Sequence, residues 1–293
     1  MSFVVMTDTS ANLQPEQIAR NDLQVIPFSF YIDGKAHNIF QDQQFNADAF
    51  YAAIRRGLKV TTSQISPLQY VDFFEPVLKQ GKDILFVCMS SGISGSCNSA
   101  RIAADMLKED YPARRIEVID TLGASLGEGI IALYAARLQR QAYSLSYAVE
   151  ELRNHVKRMF QVFTVDDLMH LRRGGRLSNL SAVVGTVLQI KPILKGNEEG
   201  KIVAFSKVRG RKKSIETLAE EYDRLVVHPE KQIVGIAQAG CREEADRLAG
   251  LIRRNRPPQE ILTVEYEPVT GSHVGPGALA LFFEGEENVR LYG

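Results

Sequence analysis

Ile84-Leu85-Phe86-Val87-Cys88-Met89 runs directly into Ser90-Ser91-Gly92-Ile93-Ser94-Gly95-Ser96, and a helical pattern follows over residues 98–108. A short apolar run bounded by turn formers reads as a strand buried on both faces, the kind found in parallel sheets. The same order recurs on either side. Upstream, Phe3 to Met6 is a short apolar strand that ends at Thr7-Asp8-Thr9-Ser10 and leads to a helical stretch over residues 15–19. Downstream, residues 116–119 form a third strand, followed by Asp120-Thr121 and a helix over residues 125–141. Repeated strand and helix predict a parallel sheet with helices on both faces. Loops at the carboxyl ends of its strands gather on one edge, where open α/β sheets bind ligands.

Other segments fill in around this unit. Residues 25–32 alternate and turn at Asp33-Gly34, a hairpin signal. Residues 46–56 read as a helix ended by Gly57. Thr61-Thr62-Ser63-Gln64 is a polar segment before Ser66-Pro67, which starts a helix reaching about Lys79. After a helix over residues 147–159, a second pattern begins near Phe163. It holds a short helix over residues 166–171 stopped by Gly174-Gly175, and an apolar, small-residue stretch over residues 180–188. Strands at residues 202–208, 232–237 and 261–266 alternate there with amphipathic helices at 214–226 and 242–253. A chain of 293 residues suits two domains, since domains cluster near roughly 100–150 residues. The expected fold class is α/β, with a parallel-sheet domain over residues 1–160 and a mixed-sheet α/β domain over residues 161–293.

Composition excludes several function classes. Lys+Arg and Asp+Glu are both 35, so the formal charge is zero, whereas nucleic-acid binders carry a basic excess or stripe. The densest basic run, residues 209–213, is short and reads as a solvated helix start. The three cysteines, Cys88, Cys97 and Cys241, contain no C-x-x-C pair. Their odd number argues against a disulfide framework and a closed zinc site. No His/Asp/Glu cluster has metal-ligand spacing. The first apolar run is four residues long before Asp8, which does not resemble a signal peptide. No apolar stretch approaches the ~20 residues that span a bilayer. A cytoplasmic protein with at most transient membrane contact is expected.

Three features carry candidate chemistry. The serine-rich loop follows a buried strand and opens a helix, whose first N–H groups and dipole favour an anion. Gly92 and Gly95 let the backbone approach a ligand, and Ser91, Ser94 and Ser96 add hydroxyls. Helix capping accounts for these serines equally well. Thr61-Thr62-Ser63 offers a second set of donors. Neither a nucleotide P-loop nor a dinucleotide fingerprint is present. Gly271-Ser272-His273-Val274-Gly275-Pro276-Gly277 holds a histidine in a tight loop, where it suits carboxylate binding or proton transfer. Leu171-Arg172-Arg173-Gly174-Gly175-Arg176 suits phosphate or carboxylate contact, or simply a glycine-capped helix end. Asp8, at a strand tip, is a candidate aspartyl nucleophile without a second Asp two residues on.

Taken together, these motifs resemble the DegV family of bacterial fatty-acid-binding proteins. The matching stretches are Thr7-Asp8-Thr9-Ser10, Thr62-Ser63-Gln64 with Pro67, the loop at residues 90–95, Asp120-Thr121 with Ala124-Ser125 and Gly127, Asp167-Leu168 through Arg176, Lys191-Pro192-Ile193-Leu194, and His273 through Gly277. Each is weak alone, but seven stand in family order across nearly the whole chain. The resemblance implies two α/β domains with a long-chain fatty acid, such as palmitate, in a tunnel between them. It implies a carboxylate held by Thr62 and Ser94, with Ser63, Ser91, Gly95 and His273 around it. It implies a non-catalytic protein with no cofactor beyond that lipid. Some members present the lipid to a separate ATP-dependent fatty-acid kinase subunit that feeds phospholipid metabolism. Arg173, Arg176 and Arg209 would then face the kinase or the acyl phosphate. The chain departs from the family at Ile65, where proline is common, and at Ser96 and Cys97, where threonine and tyrosine are common. Residues 182–188, 193–194 and 278–283 are candidate tunnel walls. Burying each CH₂ contributes about 0.8 kcal/mol, so ~16 carbons supply on the order of 10 kcal/mol before association costs. The competing readings are a stand-alone phosphotransferase or hydrolase using Asp8 or His273, and an interaction protein for a partner other than a kinase.

Overall fold

The computed structural model describes residues 3–40, 45–178 and 189–291. The chain begins with β1 (Phe3–Asp8), α1 (Pro15–Arg20) and β2 (Gln24–Ile26). A small antiparallel sheet follows from β3 (Ser29–Ile32), β4 (Lys35–His37) and, after α2 (Ala47–Arg55), β5 (Val60–Ser63), in the order β4-β3-β5. The turn between β3 and β4 is Asp33-Gly34, both at positive φ, as the hairpin signal requires. Then come α3 (Pro67–Lys79), β6 (Asp83–Cys88), α4 (Ser96–Lys108), β7 (Ile116–Asp120), α5 (Leu126–Arg140) and α6 (Leu145–Arg158).

Strands β2-β1-β6-β7 form one parallel sheet in that order. Every residue of β6 is buried, which accounts for its unbroken apolar run. The pairs α3 with α4 and α5 with α6 pack against this sheet. Its carboxyl-end loops, after β1, β6 and β7, lie side by side as the parallel register dictates.

The second sheet contains β8 (Met159–Thr164), β9 (Ile190–Gly196), β10 (Ile202–Arg209), β11 (Ile233–Gln238), β12 (Glu260–Glu265) and β13 (Leu279–Glu284). Their order is β10-β9-β8-β13-β11-β12, and β11 with β12 is the parallel pair. Between these strands run α7 (Leu168–Arg173), α8 (Arg211–Leu225), α9 (Arg242–Asn255) and α10 (Pro268–Val274). Helices α8 and α9 cover one face over a core containing Phe160, Tyr222 and Phe283. The opposite face meets α5, which also packs on β1 and β6. Helix α5 is therefore buried nearly all round, and its small residues allow it. A Cβ on Gly129 would lie 2.4 Å from the Ala11 carbonyl oxygen.

The structure corrects several expectations. The segment read as polar at residues 61–64 is largely strand β5. The second sheet starts at Met159 with β8, ahead of the second pattern expected near Phe163. Two of its strands, β9 and β13, lie where only apolar wall segments were expected. His273 sits on helix α10 rather than in a loop, because Pro268 opens that helix and the Glu267 carboxylate accepts from the N–H groups of Val269 and Thr270. The apolar stretch at residues 180–188, with its candidate tunnel wall at 182–188, lies outside the described residues.

Candidate functional site

A cavity of about 370 Å³ lies between the loops of the parallel sheet and the face of the second sheet. That is a usual size for a small-molecule site. Thr62, Ser63, Ser91, Ser94, Gly95, Arg176 and His273 all line it. Phe28, Met89, Leu122, Phe163, Ile202 and Phe282 give it apolar walls. From β13, Ala280 and Phe282 line the cavity, while Leu279, Leu281 and Phe283 face the core under α8. Ile193 and Leu194, expected as wall, are instead buried core, and Gly196 of the same strand reaches the cavity.

The polar groups are tied to one another. Thr62 Oγ1 lies 2.8 Å from His273 Nε2. Burial, with help from Arg176 and His170, pushes the His273 imidazole down to about 4, so it is neutral near pH 7. With its proton on Nε2, His273 donates to Thr62 and leaves the threonine's own proton for a ligand oxygen. His170 fixes the neighbouring backbone, donating from Nε2 to the Ser272 carbonyl at 2.6 Å. Ser94 Oγ donates to Ser96 Oγ and accepts from the Ser96 N–H. Ser96 Oγ in turn accepts from the Ile65 N–H at 3.1 Å, joining the two hydroxyl-bearing loops. A Cβ on Gly95 would lie 2.0 Å from Gln64 Oε1, so any larger residue there would push the Gln64 amide aside where the loops meet. The N-cap of α4 is Gly95, which has no side chain to cap with, and Ser94 Oγ takes the N–H of Ser96 at the helix start, so capping accounts for Ser94 in part.

The arginines divide. Arg176 is half-buried, and its guanidinium donates to the carbonyls of Ile93 and Gly174. Burial lowers its pKa from the ordinary value. Arg173 is exposed and paired with Asp167 at 3.2 Å, and Arg209 is exposed at the end of β10; neither lines the cavity. The basic run expected as wholly solvated contains Arg211, which is largely buried and bonded to Glu244 and the Gly277 carbonyl.

Asp8 is fully buried and does not share the cavity with His273. It accepts from the N–H and hydroxyl of Ser10. Ser10 Oγ also lies 2.7 Å from Glu128 Oε2, and Thr7 donates to Glu128 Oε1. Ser10 has one proton, so one carboxyl must supply another. Burial and the charge of Asp8 hold Glu128 well above the usual carboxylate range, and burial brings Asp8 to about 6. Glu128 is thus the proton holder, donating to Ser10, which donates to Asp8.

Sequence reasoning missed Glu128, Gln161 and Arg290. Gln161 accepts from the Ala124 N–H and donates to the Leu122 carbonyl, wedged against Gly123 and Gly127. Its signal was a polar residue inside an apolar strand. Those glycines bracket Gly123-Ala124-Ser125-Leu126-Gly127, a G-x-S-x-G sequence on a sharp strand-to-helix turn. Ser125 has φ 53° and ψ −138°, a region costing a residue other than glycine about 1–3 kcal/mol. Its hydroxyl donates to Asn12 Oδ1 at 3.2 Å. Arg290 donates to the carbonyls of Met159, Leu122 and Thr121, joining the two sheets. Among the described residues no group of three or more His, Cys, Asp or Glu side chains is placed to hold a metal ion, and no helix is long and apolar enough to cross a membrane.

Comparison with known proteins places this geometry among relatives. The family described as uncharacterised proteins of the DegV family matches residues 2–286. A DegV domain-containing protein of Clostridium perfringens is 37% identical over 284 residues, covering 97% of this chain and 98% of that one. A Thermus thermophilus structure, described as fatty acid binding of a DegV family protein, superimposes with a TM-score of 0.87 at 27% identity, covering 97% of this chain and 100% of that one. The structure of DegV from Bacillus subtilis, described as a fatty acid binding protein, gives 0.85 at 29% identity, covering 98% and 100%.

Proposed function

This chain belongs to the DegV family, and from that premise we propose that it binds one long-chain fatty acid in the cavity between its two sheets. The observation that carries the reading is one cavity whose lining combines hydroxyls, an imidazole and a guanidinium with extensive apolar wall, Thr62 and His273 being in direct contact. A carboxylate removed from water needs donors, and an acyl chain needs apolar walls. The head group is assigned to Thr62 and Ser94, with Ser63, Ser91, Gly95 and His273 around it and Arg176 as the nearby cation. The resemblance of this chain to fatty-acid-binding proteins of Thermus thermophilus and Bacillus subtilis supports the ligand class.

The protein in this reading makes no bond itself and works without a cofactor. It is a cytoplasmic carrier whose two units, residues 1–160 and 161–293, close on the lipid. It presents the carboxylate to a separate ATP-dependent kinase subunit, with His273, Arg173, Arg176 and Arg209 on the side that partner would face. Native mass spectrometry of purified protein, followed by organic extraction, tests the ligand. One bound fatty acid of palmitate class, released on denaturation, supports the reading. A delipidated protein that takes up neither palmitate nor oleate rejects it. The hand-off is tested with a fatty-acid kinase and ATP: His273→Ala is expected to retain lipid yet slow acyl-phosphate formation, and an unchanged rate rejects the role of His273.

A further inference from the structure

We propose that Ser125 and Asn12 form a second polar subsite that accepts a hydroxyl carried in the middle of an acyl chain, making mid-chain hydroxy fatty acids the preferred ligands. This rests on the fatty-acid reading and adds a substrate class to it. Ser125 lines the cavity, yet it is 1% exposed and held at φ 53°. Glycine would relieve that backbone, so a serine there points to a use for its hydroxyl. The strand-to-helix elbow resembles that of a hydrolase nucleophile, but the partner of the hydroxyl is an amide oxygen, which cannot serve as a general base.

The orientation of Asn12 decides what the subsite can hold. Its Nδ2 donates to the Glu265 carbonyl at 2.6 Å, and its Oδ1 accepts from the Glu267 N–H at 3.2 Å. The oxygen is therefore the atom facing Ser125, and the single proton of Ser125 is committed to it. Ser125 Oγ is left with acceptor capacity only, and among the described residues no donor meets it. A ligand hydroxyl can donate there; a ligand ketone cannot. Leu122, Ala124 and Phe28 line the same cavity, and the amide of Gln161, the polar side chain beside Ala124, is bonded to the Ala124 N–H and the Leu122 carbonyl. Position along the chain follows from α10. Asn12 holds the residue before that helix, and His273 lies six residues further on, about 9 Å at ~1.5 Å of rise per residue. The subsite and the carboxylate site by Thr62 are thus tied to opposite ends of α10, which places a hydroxyl at Ser125 along the body of the acyl chain, away from the head group.

The test uses the full-length delipidated protein and competitive displacement of a fluorescent fatty acid. The competitors are stearic acid, hydroxystearic acids differing in hydroxyl position, and the matching oxostearic acids. One mid-chain hydroxystearic acid is expected to bind about fivefold tighter than both stearic acid and its oxo counterpart, as one net hydrogen bond allows. In Ser125→Ala that ratio is expected to fall to about one. Ser125→Gly is expected to lose the preference as well while melting at a higher temperature. A preference that survives in both variants, an oxo acid that binds as well as the hydroxy acid, or no preference at any position overturns the inference. Failure of the wild type to take up any of these acids would overturn the fatty-acid reading with it.

Discussion

Thr62 offers the proposed carboxylate its hydroxyl, Ser94 offers one by turning its proton from Ser96 Oγ, and a hydrogen bond to a buried charge contributes about 1.5–3 kcal/mol. Thr62→Val and Ser94→Ala are each expected to weaken fatty-acid affinity by roughly 10- to 100-fold in a titration calorimeter. Unchanged affinity in both would move the head group elsewhere in the cavity. The buried carboxyls make a separate prediction. Asp8 rises from 3.8 to about 6 and Glu267 from 4.5 to about 7, both by burial, and Glu128 lies well above 4.5. The folded state keeps protons that the unfolded chain releases, so their contribution is complete at low pH and is lost as pH rises through those folded values. His155 and His273, lowered to about 4 by burial, act in the opposite sense as pH falls below 6.5. Glu128→Gln mimics the protonated acid. It is expected to match the wild type near pH 4.5 and to exceed it at pH 8 by at least ~1 kcal/mol in chemical denaturation. Equal stability at both pH values would mean that Glu128 is ionised in the fold.

At the scale of elements, capping and local pattern placed most helices within a few residues. Ser66 accepts from the Gln69 N–H, Gln69 Oε1 accepts from the Ser66 N–H, and Pro67 opens α3. Ser66→Ala is expected to cost about 1 kcal/mol of stability, read as a lowered melting temperature. A change within ~0.3 kcal/mol would mean that tertiary packing alone holds that end. The misread elements share a cause. Strand β5 carries hydroxyls because Thr62 and Ser63 line the cavity, so the segment read as polar without the apolar alternation of a strand. Strand β9 contains Pro192, read as a boundary. It is tolerated because β9 pairs with β8 only at residues 193–195, and Pro192 faces β10 alone. Strand β13 is apolar on both faces, since one lines the cavity and the other the core, so it lacks alternation.

Across the whole molecule, several side chains join the two sheets, among them Asn12, Gln161 and Arg290. Arg290, brought to about 10 by burial, satisfies carbonyls from the loop after β7 and the start of β8. Arg290→Met keeps an apolar stem and leaves those oxygens without their donor. It is expected to lower unfolding stability by at least ~2 kcal/mol. A smaller loss would show that α5, packed against both sheets, and the bridges made by Gln161 and Asn12 suffice to hold them together.

What the sequence determined by itself is the alternation of strand and helix, the parallel sheet, and the loops where ligands gather. These follow from hydrophobic period, turn chemistry and capping, which act over a few neighbouring residues. The motif order also brought Thr62, Ser94 and His273 into one reading before any contact between them was visible. Only the tertiary structure decided that Thr62 meets His273, that Arg176 lines the cavity while Arg173 and Arg209 do not, and that Glu128 and Arg290 are buried. Each of these depends on residues tens to hundreds of positions apart meeting in space, and burial sets the protonation of a carboxyl or imidazole only after the chain has closed around it.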